Sequence, residues 1–135
     1  MEKILVLSHW YNEELIAPLF FNRYRDCDEV RILLDTDTND RTREIASKYP
    51  NVIIQDIHCP DGMDNVQMLK NINDAILEIK DGWIYMVDAD EFIFPEYHED
   101  PQIFLKRQTA EIVNCLYFHV YRHMTEGDID YSLDP

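Results

Sequence analysis

Short apolar runs alternate along this chain with segments in which apolar residues recur at helical spacing. A run that is apolar at nearly every position is typical of a strand buried on both faces of a parallel sheet. Five strands are predicted in this way: Lys3 to Ser8, Val30 to Leu34, Val52 to Ile54, Trp83 to Val87 and Glu111 to Arg122.

The first helix is predicted between the first two strands. Asn12 is expected to cap it, and Glu13 and Glu14 are well placed near a helix N-terminus. Pro18 cannot lie in a helix interior without cost, because it lacks an N–H group. The regular part is therefore predicted to begin near Pro18, after an irregular first turn over Glu13 to Ala17.

The later helices are bounded by polar residues, proline and glycine. Asp37 and Asp40 are expected to cap the second helix. The second helix is predicted after the polar segment Thr36 to Thr42, and Pro50 stops it. The third is predicted from about Met63 to Lys80, where Asp81-Gly82 stops it. A short fourth helix is predicted through Ile103 and Leu105.

This order of elements predicts the fold class. Alternation of strands and helices indicates a three-layer α/β/α domain with a mostly parallel sheet and right-handed crossovers. The 135 residues are expected to form a single domain, 1–135, with a core of its own. Ligands of such sheets bind at the carboxyl ends of the strands.

Composition narrows the classes of partner. The formal net charge is −15, which argues against binding to nucleic acid or to an anionic membrane surface because both would be repelled. Cys27, Cys59 and Cys115 are odd in number, widely spaced and in no CxxC pair, so they suggest neither a disulfide framework nor a zinc site. The apolar run from Ile4 to Leu7 is too short for a signal peptide or a membrane span, and a cytoplasmic location is expected.

The run that begins at Trp83 ends in three carboxylates within four residues, Asp88, Asp90 and Glu91. In an extended backbone Asp88 and Asp90 point the same way. Such a cluster requires a raised pKa, full hydration or a cation, and hard oxygen ligands favour Mg²⁺ or Mn²⁺. The alternative is a solvated acidic turn that closes an ordinary strand.

Polar residues follow three of the predicted strands: Asn12-Glu13, Asp35 and Asp88 to Glu91. The segments Trp10-Tyr11-Asn12-Glu13-Glu14, Leu34-Asp35-Thr36-Asp37-Thr38-Asn39-Asp40-Arg41-Thr42 and Val87-Asp88-Ala89-Asp90-Glu91 resemble the inverting glycosyltransferases of family 2. The resemblance runs from residue 3 to about residue 95. It implies a GT-A fold, a Rossmann-like sheet that binds a nucleotide sugar.

The resemblance also implies roles for individual residues. Tyr11, Asn12 and Glu13 fall in the family's segment that contacts the nucleotide, and Asp35 in the position of the carboxylate that contacts uracil. Lys70-Asn71 resembles an Arg-Asn pair on the helix before the acidic strand. Of the acidic pair, Asp88 would hold the ribose or sugar, and Asp90, together with Asp88, an Mn²⁺ or Mg²⁺ ion that bridges the two phosphates.

The implied activity is metal-dependent transfer of a sugar, with inversion, from a nucleoside diphosphate sugar such as a UDP-sugar to an unknown acceptor. The family's catalytic base lies well after the acidic pair and is expected beyond the end of this chain, so the catalytic residue is unassigned. Thr36, Asp37 and Arg41 also depart from the family pattern after the second strand. A non-catalytic nucleotide-sugar-binding module therefore remains an alternative.

Residues Ile32 to Thr38 also fit the strand-DxDxT pattern of haloacid-dehalogenase-type phosphatases. In that alternative Asp35 is the nucleophile, Asp37 the acid, and Lys70 the phosphate-binding lysine. Asp88 and Asp90 then bind magnesium. A complete strand and helix precede Asp35, however, whereas the nucleophile of that family usually follows the first strand.

Overall fold

The computed structural model describes residues 3–62, 64–93 and 100–107. Within these ranges strands and helices alternate up to the fourth strand, so the predicted α/β class is confirmed. The strands are β1 (Ile4–Trp10), β2 (Glu29–Asp35), β3 (Val52–Ile57) and β4 (Trp83–Met86). The helices are α1 (Ala17–Arg23), α2 (Thr42–Ala46), α3 (Asn65–Glu78) and α4 (Pro101–Lys106). The predicted strand Glu111 to Arg122 lies outside the described residues.

β1 lies inside the sheet and determines its layout. The strand order is β3-β2-β1-β4, and each of these strands runs parallel to its neighbours. β1 pairs with β2 from Leu5 to Trp10 and with β4 from Ile4 to Leu7. All seven of its residues are buried, as the continuous apolar run predicts. The chain therefore passes from β1 through β2 to β3 at one edge of the sheet, and then crosses back to form β4 on the other side of β1.

Helices cover both faces of the sheet. On one face, Val6 and Ile32 pack with residues of α1 and α2. On the other face, Leu7 and Leu33 pack with Ile72 of α3. Successive residues of a strand point to opposite faces, so consecutive apolar residues supply both cores. The layered α/β/α arrangement follows from this division.

Trp10 ends β1 in the core and is not available to stack on a ligand. Its ring packs edge-on against Phe20 at 4.9 Å between centroids and is stacked on Phe21 at 5.0 Å. Its indole Nε1 donates a hydrogen bond to Ser8 Oγ at 2.6 Å, which satisfies the one polar atom of the ring. The side chains of α1 thus fix the end of the strand from which the next loop starts.

The first helix begins where Pro18 allows it to, as predicted. α1 starts at Ala17, Pro18 lies in its first turn, and a turn over residues 14–16 precedes the helix. The prediction that Asn12 caps this helix is wrong, because the capping position is Ile16 and no side chain bonds there. Asn12 instead has a left-handed backbone, with φ of 51°.

α2 and α3 are shorter than the sequence predicts. α2 ends at Ala46, before Pro50, and α3 covers Asn65–Glu78 with Asp64 as its cap, accepting a hydrogen bond from the N–H of Gln67. Among the described helices, none combines the length and the apolar character needed to cross a membrane.

Gly82 connects α3 to β4 through a close backbone approach. Its φ is +102°, and a Cβ atom at this position would collide with the backbone carbonyl of Lys3. The adjacent Trp83 N–H donates to that same carbonyl at 2.7 Å, which starts the pairing of β4 with β1. Only glycine satisfies both conditions.

We expect Gly82→Ala to destabilise the protein more than Gly62→Ala. Both glycines have positive φ, so each substitution costs about 1–3 kcal/mol of backbone strain, but the space around Gly62 is open. At Gly82 the collision with Lys3 adds to the loss of stability, because it lies next to the first residue pair of β1 and β4, Ile4 and Trp83. Urea unfolding of the two variants measures the difference, and equal losses would contradict this account of the β4 junction.

Candidate functional site

The candidate site lies where the direction of chain progression reverses, between the carboxyl ends of β1 and β4. Open parallel sheets bind ligands beyond the carboxyl ends of the strands at such a point. Here α1 and the residues that follow β4, among them Phe92 and Leu105, pack on one face, and α3 covers the other. Residues that directly follow β1 and β4 lie side by side beyond the strand ends, a region that we call the crevice.

The loop after β1 is fixed by the loop after β2. Asn12 Oδ1 accepts hydrogen bonds from the backbone N–H groups of Asn39 at 2.9 Å and Asp40 at 3.4 Å. The N–H of Glu13 donates to Thr42 Oγ1 at 2.8 Å. The left-handed backbone of Asn12 turns the chain so that these contacts can form.

Asp40 joins the same two loops through both of its carboxylate oxygens. Oδ1 accepts from the N–H of Thr42 at 2.9 Å, and Oδ2 accepts from the N–H of Glu14 at 3.1 Å. The first contact satisfies the N–H of Thr42 at the start of α2, so Asp40 supports the beginning of this helix from one residue before its capping position, which is Arg41. The loop that carries Glu13 is thus held to the loop after β2 by hydrogen bonds of its backbone N–H groups and of the Asn12 side chain.

The carboxylates after β4 lie in a turn, not on an extended strand. The N–H of Glu91 donates to the carbonyl of Asp88 at 3.0 Å, and the N–H of Asp88 donates to Glu91 Oε2 at 2.8 Å. The expectation that the backbone stays extended through Asp90 is therefore wrong, because this local turn replaces strand pairing after Val87. Asp88 is exposed, whereas Asp90 is partly buried.

The end of α1 anchors the segment that follows this turn. The Tyr24 hydroxyl donates to the carbonyl of Glu91 at 2.8 Å and accepts from the N–H of Ile93 at 3.1 Å. Arg23 Nη2 donates to the carbonyl of Ile93 at 2.6 Å. Burial raises the pKa of Tyr24, so its hydroxyl keeps the proton that it donates.

Four carboxylates meet at the crevice, and we call Glu13, Asp40, Asp88 and Asp90 the carboxylate cluster. The pKa of Glu13 is raised to about 7, first by burial and then by the negative charges of Asp90, Asp40 and Asp88 in that order. The tertiary structure thus brings together the acidic residues that follow β1 and β4, as the parallel sheet predicts. Carboxylate oxygens suit a hard divalent cation such as Mg²⁺ or Mn²⁺, but no three of these four described side chains lie close enough together to hold one in this structure.

A second group of potential ligands lies at the carboxyl ends of β2 and β3. Asp35, Asp37 and His58 each offer one ligand atom, and these atoms lie within 4.8 Å of one another. Asp35 is buried and its Oδ1 accepts from the N–H of Asp37 at 2.9 Å. We call these three residues the Asp–His group. Asp37 is thus placed beside Asp35, and the capping role predicted for it stays a prediction.

His58 was not singled out by its sequence context, because β3 is longer than the predicted strand. The polar residues Gln55 and Asp56 suggest an end at Ile54, but the strand continues to Ile57 and pairs there with Asp35. β3 is the edge strand in the described sheet, and such a strand tolerates polar residues. The signal that could have found His58 is Ile57, the last apolar residue before it.

A buried polar network lies beneath the strand ends, on the α3 face. Asn71 Nδ2 lies 3.2 Å from His9 Nε2 and 3.8 Å from Cys59 Sγ. Burial lowers the pKa of His9, although the charge of Asp35 partly opposes this effect. His9 is therefore a neutral structural histidine at neutral pH.

The remaining predicted site residues are more exposed. Tyr11 is 40% exposed, directly after β1, so its ring is accessible at the crevice. Lys70 lies on the exposed side of α3, where its Nζ pairs with Asp74 at 2.8 Å. Its neighbour Asn71, not Lys70, reaches the sheet. Of the two residues in the predicted Lys-Asn pair, the structure brings only Asn71 beneath the strand ends.

Comparison of the chain with models of protein families gave no match, and a search among curated proteins gave none either. The resemblance to glycosyltransferases thus depends on the segments quoted above.

We expect Glu13 to make the protein less stable as the pH rises from about 5 to 8. Its pKa is about 7 in the folded state, above the ordinary value of 4.5, so the folded state binds this proton more tightly. The stabilisation is present below about 4.5 and is lost as the pH rises through 7. The free energy of unfolding, measured with urea at about pH 5 and about pH 8 without added metal, should fall less with pH in Glu13→Gln than in the parent protein. Glu14→Gln is the matched control, and an unchanged pH dependence in Glu13→Gln would contradict the prediction.

We expect Tyr24→Phe to destabilise the protein by about 1–2 kcal/mol, since it removes two hydrogen bonds that hold the segment after the acidic turn. Tyr49→Phe is the matched control, because Tyr49 packs its ring on Phe21 and makes no hydrogen bond to a described residue through its hydroxyl. Chemical unfolding measures both. Equal stability of the two variants would show that the Tyr24 hydroxyl does not anchor this segment.

Proposed function

We propose that this chain is the donor-binding domain of a metal-dependent glycosyltransferase with a GT-A-type fold, similar to the inverting enzymes of family 2. Its ligand would be a nucleoside diphosphate sugar, most simply a UDP-sugar. The observation that carries the proposal is the convergence of Glu13, Asp88 and Asp90 at the crevice between β1 and β4. Parallel α/β sheets bind nucleotides at this position.

The chemistry of the ligand explains the concentration of acid. A diphosphate is itself anionic and would be repelled by the carboxylate cluster alone. Asp90 and Asp88 would hold a divalent ion, which would neutralise the charge that develops on a leaving diphosphate. Their donor atoms are carboxylate oxygens, which suit such an ion. The pKa of Glu13 is raised by burial and then by the charges of its acidic neighbours, so negative charge accumulates here.

Other residues have defined places in the proposed donor site. Asp35 would accept hydrogen bonds from the base, and the accessible ring of Tyr11 would lie against the nucleotide. The side chain of Asn12 is engaged by the loop after β2, so we assign it to shaping the site instead of contacting the ligand. Lys70 is paired with Asp74, so we assign it no direct contact with the donor.

In the proposed reaction, an acceptor hydroxyl attacks the anomeric carbon from the face opposite the diphosphate. The bond to the diphosphate oxygen breaks as the new bond to the acceptor forms, and the anomeric centre is inverted. The acceptor proton passes to a base, to which no described residue is assigned. The part of the mechanism that concerns this chain is binding and orientation of the donor.

The phosphatase alternative requires Asp88 and Asp90 to share a magnesium ion with Asp35. Both instead act on the pKa of Glu13, and the potential ligands grouped with Asp35 among the described residues are Asp37 and His58. This arrangement favours the donor-binding proposal. A module that binds the donor without catalysis differs from an enzyme only in turnover, which hydrolysis or transfer of a bound UDP-sugar would detect.

We expect UDP to bind in an Mn²⁺-dependent manner, and Asp90→Asn to weaken this binding at least about tenfold, which corresponds to about 1.4 kcal/mol. Calorimetric titration with UDP, with Mn²⁺ and then with EDTA, measures both effects. Asp61→Asn is the matched control, because Asp61 is an exposed aspartate in the loop before α3.

Unchanged UDP binding in a folded Asp90→Asn variant would refute the assignment of the metal. Absence of UDP binding in the parent protein, together with magnesium-dependent hydrolysis of a phosphate ester that Asp35→Asn abolishes, would favour the phosphatase.

A further inference from the structure

We propose that Asp35, Asp37 and His58 form a separate binding site for a first-row divalent metal ion such as Zn²⁺. The site lies at the carboxyl ends of β2 and β3, whereas the carboxylate cluster follows β1 and β4. Neither the proposed donor site nor its metal accounts for His58. The inference starts from the position of that imidazole beside two carboxylates.

The geometry of the three side chains is close to that of a metal site. One ligand atom from each residue lies within 4.8 Å of the other two. Two ligand atoms of a tetrahedral Zn²⁺ ion are about 3.4 Å apart, since each bond is about 2.0–2.2 Å long. Small rotations of the exposed Asp37 and His58 side chains suffice to close this difference, and Asp35 is already fixed by the N–H of Asp37.

The charge of Asp35 is the second observation that indicates a cation. Only 3% of this residue is exposed, and its carboxylate accepts a hydrogen bond from the N–H of Asp37. Within the described ranges, no lysine or arginine forms an ion pair with it or with Asp37. Buried charges in proteins are normally paired or bound to a metal ion. A divalent ion would compensate both carboxylates.

The types of donor atom select the class of ion. Two carboxylate oxygens and one imidazole nitrogen suit Zn²⁺ and related first-row ions, whereas Mg²⁺ and Ca²⁺ prefer sites made of oxygen alone. Thr36 Oγ1 lies 3.2 Å from His58 Nδ1 and restrains the ring. Contacts of this kind orient the imidazole ligands of metal ions.

This site shares Asp35 with the proposed donor site. If Asp35 contacts the base of a nucleotide, Zn²⁺ and UDP compete, and the ion acts as an inhibitor of donor binding. That consequence rests on the proposed function. Binding of the ion itself does not, so the two can fail independently.

The test is calorimetric titration of the full chain with Zn²⁺, under reducing conditions and without nucleotide. We expect one Zn²⁺ bound at this site, and at least about tenfold weaker binding in Asp37→Asn and in His58→Gln. Both residues are exposed, so the variants should keep the unfolding midpoint of the parent. Asp61→Asn and Asp90→Asn are the controls, and both should retain the site.

Co²⁺ replaces Zn²⁺ as a spectroscopic probe of the ligands. Absorption bands of oxygen and nitrogen coordination that are lost in His58→Gln support the proposal, whereas a strong thiolate charge-transfer band would assign the ion to cysteine and overturn it. Parent-like Zn²⁺ affinity in both Asp37→Asn and His58→Gln would also overturn it, as would loss of the ion in Asp90→Asn alone. Zn²⁺ binding in a protein that does not bind UDP would support this site and count against the donor-binding proposal.

Discussion

The parallel pairing of β1 on both of its sides is the constraint on which the rest of the structure depends. β1 contributes hydrogen bonds to β2 and β4 and buries every one of its residues between two layers of helices. Because the chain leaves β1 in one direction and returns on its other side, the sheet reverses its order next to this strand. The crevice at the carboxyl end of β1 is a direct consequence of that reversal.

The carboxylate cluster is held against its own repulsion by contacts that lie outside it. The N–H of Glu13 is bound by Thr42, and the segment after the acidic turn is bound by Tyr24 at the end of α1. These contacts fix the backbone, so the acidic side chains cannot separate freely. Burial and, after it, the charges of Asp90, Asp40 and Asp88 raise the pKa of Glu13, so its ionised form is costly in this arrangement. A bound cation would remove that cost, which is the physical basis of the donor-site proposal.

The carboxyl edge of the sheet thus contains two groups of potential ligands with different chemistry. The carboxylate cluster at β1 and β4 offers oxygen alone, whereas the Asp–His group at β2 and β3 adds an imidazole. Asp35 belongs to the second group but stands next to the crevice, above the network of His9 and Asn71. Competition between a nucleotide base and a metal ion for Asp35 would link the two groups.

The sequence by itself determined the class of fold and the edge at which the acidic residues lie. Continuous apolar runs and helical spacing are local properties, and parallel strands bring their carboxyl ends to one edge wherever their exact limits fall. The tertiary structure decided what distant contacts control. Asn12 does not cap α1, since its side chain binds a loop 27 residues away. Asp88 and Asp90 lie in a turn closed by Glu91, and His58 reaches Asp35 because pairing with β2 extends β3 to Ile57. The contacts of Asn12 and His58 depend on residues that only the folded chain brings together, whereas the turn at Asp88 is closed locally by Glu91.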